Sequence, residues 1–456
     1  MKLSPSIFKD YDIRATDGES IDDAGVFRIG EALGHFFKPK KVSIGRDMRL
    51  SSDRWFKLLS DALINQGINV IDLGLISTDM SYFAAGTLDA DISIMITASH
   101  NPSKDNGMKI VKKGAIGVSG DSGIYDIRDL ALSNEAFATT TPLGTITKLD
   151  ILEKWVTHAL KFVNVDELKP LKVVIDAGNG MAGKFIPAIE KYLPINIIPM
   201  FFELDGSFPN HLANPLLTEA QTPIVEKVRE MDADLGIIFD GDGDRMFLVD
   251  DKGKFLSGTI TTAMVASRLL KRNPGSTILY NAICGRVVPE TVEKSGGKSV
   301  RVRVGHTLIK EAMRKHDALF AGEHSGHYYF RENFSADSGL IAALVVLELI
   351  SVSNKKLSEI AEIYDVYPSS GEINFSVPDK KAMMESFAEK YSDSKIDWLD
   401  GLSIWKDDWW ANIRPSNTQP VLRLNVEADN ADLLKTITAE LQQHIINTGG
   451  KIAEEH

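Results

Sequence analysis

The sequence predicts an α/β protein of several domains, with three α/β units followed by one α+β module. Three observations carry this expectation. The chain has 456 residues, and at roughly 100–200 residues per domain that is about three or four domains. Short β-branched runs alternate with longer helical patterns, as βαβ units require. After about residue 366 the pattern changes to short strands separated by turns.

In order, Lys41–Ile44 reads as a strand, 54–66 as a helix and Asn69–Leu73 as a second strand. Ile92–Thr97 is a further strand that runs into a Ser/His/Asn/Pro cluster. A second unit starts near residue 150, with a helix over 151–162, a strand at Leu171–Ile175, the turn Asp176-Ala-Gly-Asn-Gly and the strand Leu235–Phe239. A third has a helix over 259–271 and strands at Thr277–Tyr280 and Ser299–Val304. KVSIGRD, KVVIDAGNG and STILYNAI open three units that read as faint repeats of one another. The last module has strands at 372–377, 402–405, 409–414 and 421–427 and a terminal helix over 431–446. The expected boundaries are 1–148, 149–252, 253–366 and 367–456, and four packed domains leave a cleft suited to a small ligand.

Composition narrows the function classes. Lys and Arg number 51 against 63 Asp and Glu, a net charge of −12, so a nucleic-acid partner is not expected. A phosphate site on such a surface needs concentrated local donors. One cysteine, Cys284, excludes an intrachain disulfide. The start MKLSPSIFKDYDIR has no secretory apolar run, and the most apolar segment, 339–352, is too short to span a bilayer and contains Glu348. A cytoplasmic protein with no membrane partner is expected.

Four loops carry chemistry. Thr97-Ala-Ser-His-Asn-Pro presents the Ser99 hydroxyl on a turn. Serine needs a base or metal to act as a nucleophile; His100 adjoins it, but adjacency implies no dyad, and an ordinary capped turn fits as well. Asp240-Gly-Asp-Gly-Asp-Arg245 places three carboxylates at alternate positions, able to fold onto one hard cation such as Mg²⁺. An EF-hand fails because Arg245 stands at the required glycine, and a solvated acidic turn would crowd three like charges. At a strand end the trio is expected to lie outside a core.

Gly322-Glu-His-Ser-Gly-His327 lets backbone approach a ligand, with Glu323 and Ser325 able to bond sugar hydroxyls. A zinc site is the rival, though the spacing fits no common pattern. Arg414-Pro-Ser-Asn-Thr-Gln-Pro420 offers a bidentate fork plus neutral donors for a phosphate dianion, or is simply a turn.

Together, in this order, and with Tyr11-Asp-Ile-Arg14, Asn106-Gly-Met-Lys109 and Gly305-His306-Thr307, these loops resemble the α-D-phosphohexomutase family in its phosphomannomutase/phosphoglucomutase branch, over essentially the whole chain. The resemblance implies three related α/β domains with mixed sheets and a C-terminal α+β domain around a central cleft. It implies that Ser99 carries the catalytic phosphate and, with Asp240, Asp242 and Asp244, completes an Mg²⁺ site. Lys109, His100 and Arg14 are implied as catalytic residues around the phosphoserine that help with proton transfer and charge, with Lys109 the candidate general acid/base. Substrate contacts are implied for Tyr11, Arg245, Gly305, His306, Glu323, Ser325, His327, Arg414, Ser416, Asn417, Thr418 and Arg423. The sequence departs from the pattern at His324 (usually Met), Ile283 (usually Lys or Arg, with Arg286 the nearest cation), Ala15 (usually Gly) and Gln419 (usually Glu).

The implied reaction interconverts mannose 6-phosphate and mannose 1-phosphate, with glucose phosphates as candidate further substrates, through phospho-Ser99 and a hexose 1,6-bisphosphate that also primes the enzyme. Its partners are small hexose phosphates, its state a monomer or homodimer, and its product a precursor for GDP-mannose. A phosphoglucosamine mutase is the alternative, and a non-catalytic sugar-phosphate or calcium-binding protein a distant third.

Overall fold

The computed structural model describes residues 1–416 and 421–453. Four sheets follow one another along the chain. The first contains, in spatial order, Ile13–Thr16, Asp105–Lys112, Ile92–Ile96, Lys41–Arg46, Asn69–Leu75 and Ile146–Lys148, with Ile116–Gly117 paired to Asp105–Lys112. The second runs Phe255–Leu256, Met246–Asp250, Leu235–Phe239, Lys172–Asp176, Asn196–Met200. The third runs Lys298–Val302, Thr277–Asn281, Phe320–Gly322, Tyr328–Phe330, Ala336–Asp337.

These three sheets share one plan. A central strand (Lys41–Arg46, Lys172–Asp176 or Thr277–Asn281) lies between two parallel neighbours. One of those neighbours then turns back into an antiparallel strand. The three strands read from sequence as openings of related units are thus topologically equivalent. The turned-back pairs are Ile92–Ile96 with Asp105–Lys112, Leu235–Phe239 with Met246–Asp250, and Phe320–Gly322 with Tyr328–Phe330. Every residue of Ile92–Ile96 and Leu235–Phe239 is buried, which explains why they read as unbroken apolar runs and not as alternating patterns.

The fourth sheet is antiparallel throughout, in the order Lys395–Asp397, Leu402–Trp405, Trp409–Pro415, Leu422–Ala428, Ser369–Ser376, Lys451–Ile452. Helices Lys380–Lys390 and Ala431–Asn447 contribute Phe387, Ile437, Leu441 and Ile445 to its core. The apolar segment read as a buried helix is one, Gly339–Ser353. Its Glu348 is 0% exposed and accepts from Arg268 Nε at 2.8 Å, with Arg272 also paired to it, as a buried charge requires. Among the described residues no helix is long and apolar enough to cross a membrane.

Several elements differ from expectation. The helix Leu152–Ala159 gives way to a tighter turn at Leu160–Phe162 instead of running on unbroken, and the strand expected to reach Val304 stops at Val302. Phe255–Leu256 pairs with Met246–Asp250, so the second sheet continues past the boundary expected at 252.

Candidate active site

Three of the four loops occupy one slot repeated three times. Residues 97–104, 240–245 and 323–327 each join the last parallel strand of a sheet to the antiparallel strand beside it. Adjacent sheets bring these turns together. Gly241 packs so closely that a Cβ there would lie 2.6 Å from the Ser99 carbonyl oxygen. An isolated antiparallel bridge links Arg245 to His327.

Ser99 has φ +52°, a left-handed conformation that costs a non-glycine residue about 1–3 kcal/mol and persists only where surroundings enforce it. Its N–H donates to Thr97 Oγ1 at 2.8 Å and its hydroxyl to Asp240 Oδ2 at 2.7 Å. His100 Nδ1 lies 3.3 Å from the same hydroxyl, so the two neighbours do come within reach, which the left-handed turn allows and an extended backbone would not. Arg245 donates from Nε to Asp240 Oδ2 at 2.9 Å, and its Nη2 lies 3.3 Å from Ser99 Oγ and also meets His100 Nδ1. Arg14 bonds Asp12 at 2.7 Å and Asn101 Oδ1 at 3.0 Å.

The aspartate trio lies not at an open strand end but fully buried, each residue 0% exposed. Burial, then the charges of Asp242 and Asp244, push the Asp240 carboxyl above the usual carboxylate range. Burial would also raise Asp242, but Lys109 and the Thr78 hydroxyl outweigh it and hold Asp242 well below the usual carboxylate range. Lys109 Nζ donates to Asp242 Oδ2 at 2.9 Å and Asp244 Oδ2 at 2.6 Å. Burial would lower its amine, yet these two carboxylates hold it well above the ordinary lysine value.

The donor set fits a hard cation. One oxygen from each aspartate lies within 4.8 Å of the others, and the Oδ1 atoms of Asp242 and Asp244 are buried without a hydrogen-bond partner. Ligands at 2.0–2.1 Å in an octahedron stand about 3–4 Å apart. His327 makes a second group with Asp244 and Asp337, but Lys310 Nζ already lies 2.9 Å from Asp337 Oδ1.

In the third loop, Glu323 accepts from Tyr329 Oη at 2.5 Å and Asn281 Nδ2 at 3.1 Å, and burial pushes its carboxyl up to about 6. Ser325 Oγ lies 3.0 Å from His327 Nδ1. Burial pushes His327 down to about 3 and His306 and His100 well below the usual histidine value, so all three rings are neutral at pH 7. His324 Nδ1 lies 2.9 Å from Thr259 Oγ1. Tyr11 packs edge-on to His306 at 5.7 Å and against Gly305, which has φ +131°.

Arg414 and Arg423 are directly paired across their strands. Arg423 Nε lies 3.2 Å from Glu372, and Arg414 Nε 3.7 Å from Asp400. Ser416 follows in the same hairpin and is buried; Asn417, Thr418 and Gln419 lie outside the described residues. Arg286, the cation nearest Ile283, is committed elsewhere: its Nε bonds Glu427 at 3.1 Å and its Nη2 lies 2.9 Å from Asp429. It ties the third sheet's unit to the fourth and does not replace the usual cation at 283.

Sequence reading missed Thr78, whose hydroxyl donates to Asp242 Oδ2 at 2.5 Å, and the Glu323 partners Tyr329 and Asn281. Only their places at a helix start and on strands flanking the loop could have marked them.

A hydroxyl held against buried carboxylates and ringed by fixed cations is equipment suited to phosphoryl transfer, where catalysis is positioning and charge neutralisation. Family models described as phosphoglucomutase/phosphomannomutase α/β/α domains I, II and III and C-terminal domain match residues 5–135, 153–253, 257–367 and 372–444. A phosphomannomutase of Vibrio cholerae is 40% identical over 455 residues, covering 96% of this chain and 98% of the relative. A Xanthomonas campestris relative described as a phosphohexose mutase is 39% identical, with 95% and 98% covered. A crystal structure of a phosphoglucomutase/phosphomannomutase family protein from Burkholderia thailandensis, 30% identical, superposes with a TM-score of 0.91 over 99% of both chains. The chain belongs to the phosphoglucomutase/phosphomannomutase family.

Proposed function

We propose that this chain is a phosphomannomutase that moves a phosphoryl group between the C6 and C1 oxygens of mannose through phospho-Ser99. The carrying observation is the Ser99 hydroxyl donating at 2.7 Å to Asp240, a residue of the neighbouring sheet's metal loop. In the forward step the phosphorus–oxygen bond to Ser99 breaks and one to the free sugar hydroxyl forms, giving the 1,6-bisphosphate. The hydroxyl's proton goes to a neutral imidazole of the site, His100, whose Nδ1 lies 3.3 Å from Ser99 Oγ, or His327, whose Nε2 lies 3.7 Å from Asp244 Oδ1. Lys109 and Arg245 would offset the charge spreading over the transferring group, and Lys109 is the candidate for general acid/base help. Mg²⁺ on Asp240, Asp242 and Asp244 would supply further charge neutralisation at the phosphoryl oxygens.

Glu323 and Ser325 would grip the sugar hydroxyls, with Tyr11, Gly305 and His306 at the rim. Arg414, Ser416, Asn417, Thr418 and Arg423 would hold the phosphate that is not reacting. Arg14 and His100 would keep the serine loop's charge and orientation. A hexose 1,6-bisphosphate would prime Ser99.

The domain division is 1–148, 149–252, 253–366 and 367–456, and the short strand Phe255–Leu256, just past the second boundary, pairs into the second unit's sheet. A cytoplasmic setting, hexose phosphates as small-molecule partners, no nucleic acid and no membrane, and a monomer or homodimer complete the reading. Parallel assays on mannose 1-phosphate, glucose 1-phosphate and glucosamine 1-phosphate test it. The highest kcat/KM is expected on mannose 1-phosphate; a clear preference for the amino sugar would replace this reading by a phosphoglucosamine mutase.

A further inference from the structure

The most heavily bonded group near the serine is one the mechanism above does not use. Arg49 follows the strand Lys41–Arg46, and its side chain is 0% exposed. Its Nη2 donates to the carbonyl oxygens of Ser99 at 2.8 Å and Asn101 at 2.6 Å. Its Nη1 donates to those of Pro102 at 2.7 Å and Asp105 at 2.8 Å. Four carbonyls of the turn 97–105 thus converge on one planar fork, which only arginine supplies.

Arg49 is itself fixed. Asp47, also 0% exposed, lies 3.3 Å from Arg49 Nε and takes the Arg49 N–H at 3.1 Å and the Ser52 hydroxyl at 2.7 Å. The Phe208 ring, from the second unit, lies 5.1 Å from the guanidinium carbon. A Cβ on Gly206 would lie 2.6 Å from Arg49 Cα, so the second unit closes directly over this residue. The Ser99 carbonyl is therefore held on one side by Arg49 and on the other by Gly241 of the metal loop.

Resting on the mutase reading, we propose that Arg49 is the positioning residue that holds Ser99 in its left-handed form, hydroxyl toward Asp240, for phosphoryl transfer. It touches neither sugar nor transferring group, so its loss acts on the transfer rate and leaves sugar-phosphate binding in place. A reacting atom displaced by about 1 Å can lose on the order of a hundredfold in rate.

The test follows single-turnover phosphorylation of full-length protein by glucose 1,6-bisphosphate, read by intact mass, with steady-state kinetics on mannose 1-phosphate. Arg49→Ala is expected to slow both transfer and kcat about a hundredfold, and Arg49→Lys, which keeps the charge without the fork, about tenfold. KM is expected to stay within threefold for both, and guanidinium ion at tens of millimolar to recover part of the Arg49→Ala rate. Circular dichroism establishes folding, and if Arg49→Ala does not fold, Arg49→Lys carries the test. Transfer at the parent rate, a loss residing in KM, or failure of both variants to fold overturns the proposal. A parent protein that never gains phosphate at Ser99 overturns the mutase reading itself, which separates the two failures.

Discussion

The Ser99 and aspartate turns sit in turned-back hairpins of mixed sheets, whereas Arg414 and Arg423 lie on paired strands of an antiparallel sheet, and the two regions hold their charges differently. In the first pair the bonds cross between units: Ser99 to Asp240, Lys109 to Asp242 and Asp244, and Thr78 to Asp242. In the last, Arg414 and Arg423 face Glu372 and Asp400 of their own unit. A reacting phosphoryl needs one fixed geometry, which mutual closure of two buried loops provides. The non-reacting phosphate arrives from either end of the sugar in the proposed reaction, and an arginine pair whose carboxylate partners lie apart from the reacting turns would accept both without disturbing the chemistry.

The largest effect expected from breaking this comparison is at the buried loops. Asp242→Asn removes one of the trio's charges and leaves Lys109 with Asp244. We expect a kcat loss of at least about a hundredfold, comparable to losing one electrostatic contact at a transition state. Because the trio is 0% exposed, some loss of folding stability should accompany it. Mg²⁺ should raise the melting temperature of the parent, as any ligand of the native state does, and not that of the variant. An equal Mg²⁺ shift in both proteins would place the cation elsewhere.

A smaller effect is expected at the phosphate loop. Arg414→Ala should weaken binding of mannose 1-phosphate and mannose 6-phosphate to dephosphorylated protein by roughly 1.5–3 kcal/mol, the worth of one charged hydrogen-bonded contact. Arg414→Lys, without the fork, should lose less. Calorimetry decides: a loss confined to one isomer would mean two separate phosphate sites and would end the contrast drawn above.

The smallest effect concerns pH. Burial raises Glu323 to about 6, above its ordinary 4.5, so its contribution to stability is full below 4.5 and is lost as pH rises through 6. Its ability to accept from sugar hydroxyls runs the opposite way, appearing as it ionises through 6. KM for mannose 1-phosphate should therefore rise a few-fold as pH falls from 7 to 5. The sugar phosphate also ionises near pH 6, so the reference is Glu323→Gln, whose KM should be higher and change less. Parallel KM profiles would mean that Glu323 does not titrate in this range.

Much of this arrangement was legible in the sequence because its signals are local. Gly-Asp alternation after an apolar run marks a strand-end turn whatever surrounds it, and Arg-Pro-Ser-Asn between strands does the same. What stayed hidden depends on distant partners. Arg49 acts on backbone carbonyls at 99–105, groups every residue carries. Arg286 read as a spare cation only because Glu427 and Asp429 are 141 and 143 positions away in the chain. The burial of the trio follows from closure of two units and left no mark in its own segment. The helices Asp23–Phe37 and Thr218–Met231 were not singled out beside the stronger β-branched runs.

The central claim is that Ser99 carries the phosphoryl group between substrates. Protein treated with a mannose phosphate and trace glucose 1,6-bisphosphate, quenched and digested, should carry one added phosphoryl on the 97–102 segment, lost in Ser99→Ala together with turnover. Phosphate mapped to another residue, with Ser99→Ala turning over at the parent rate, would contradict the account.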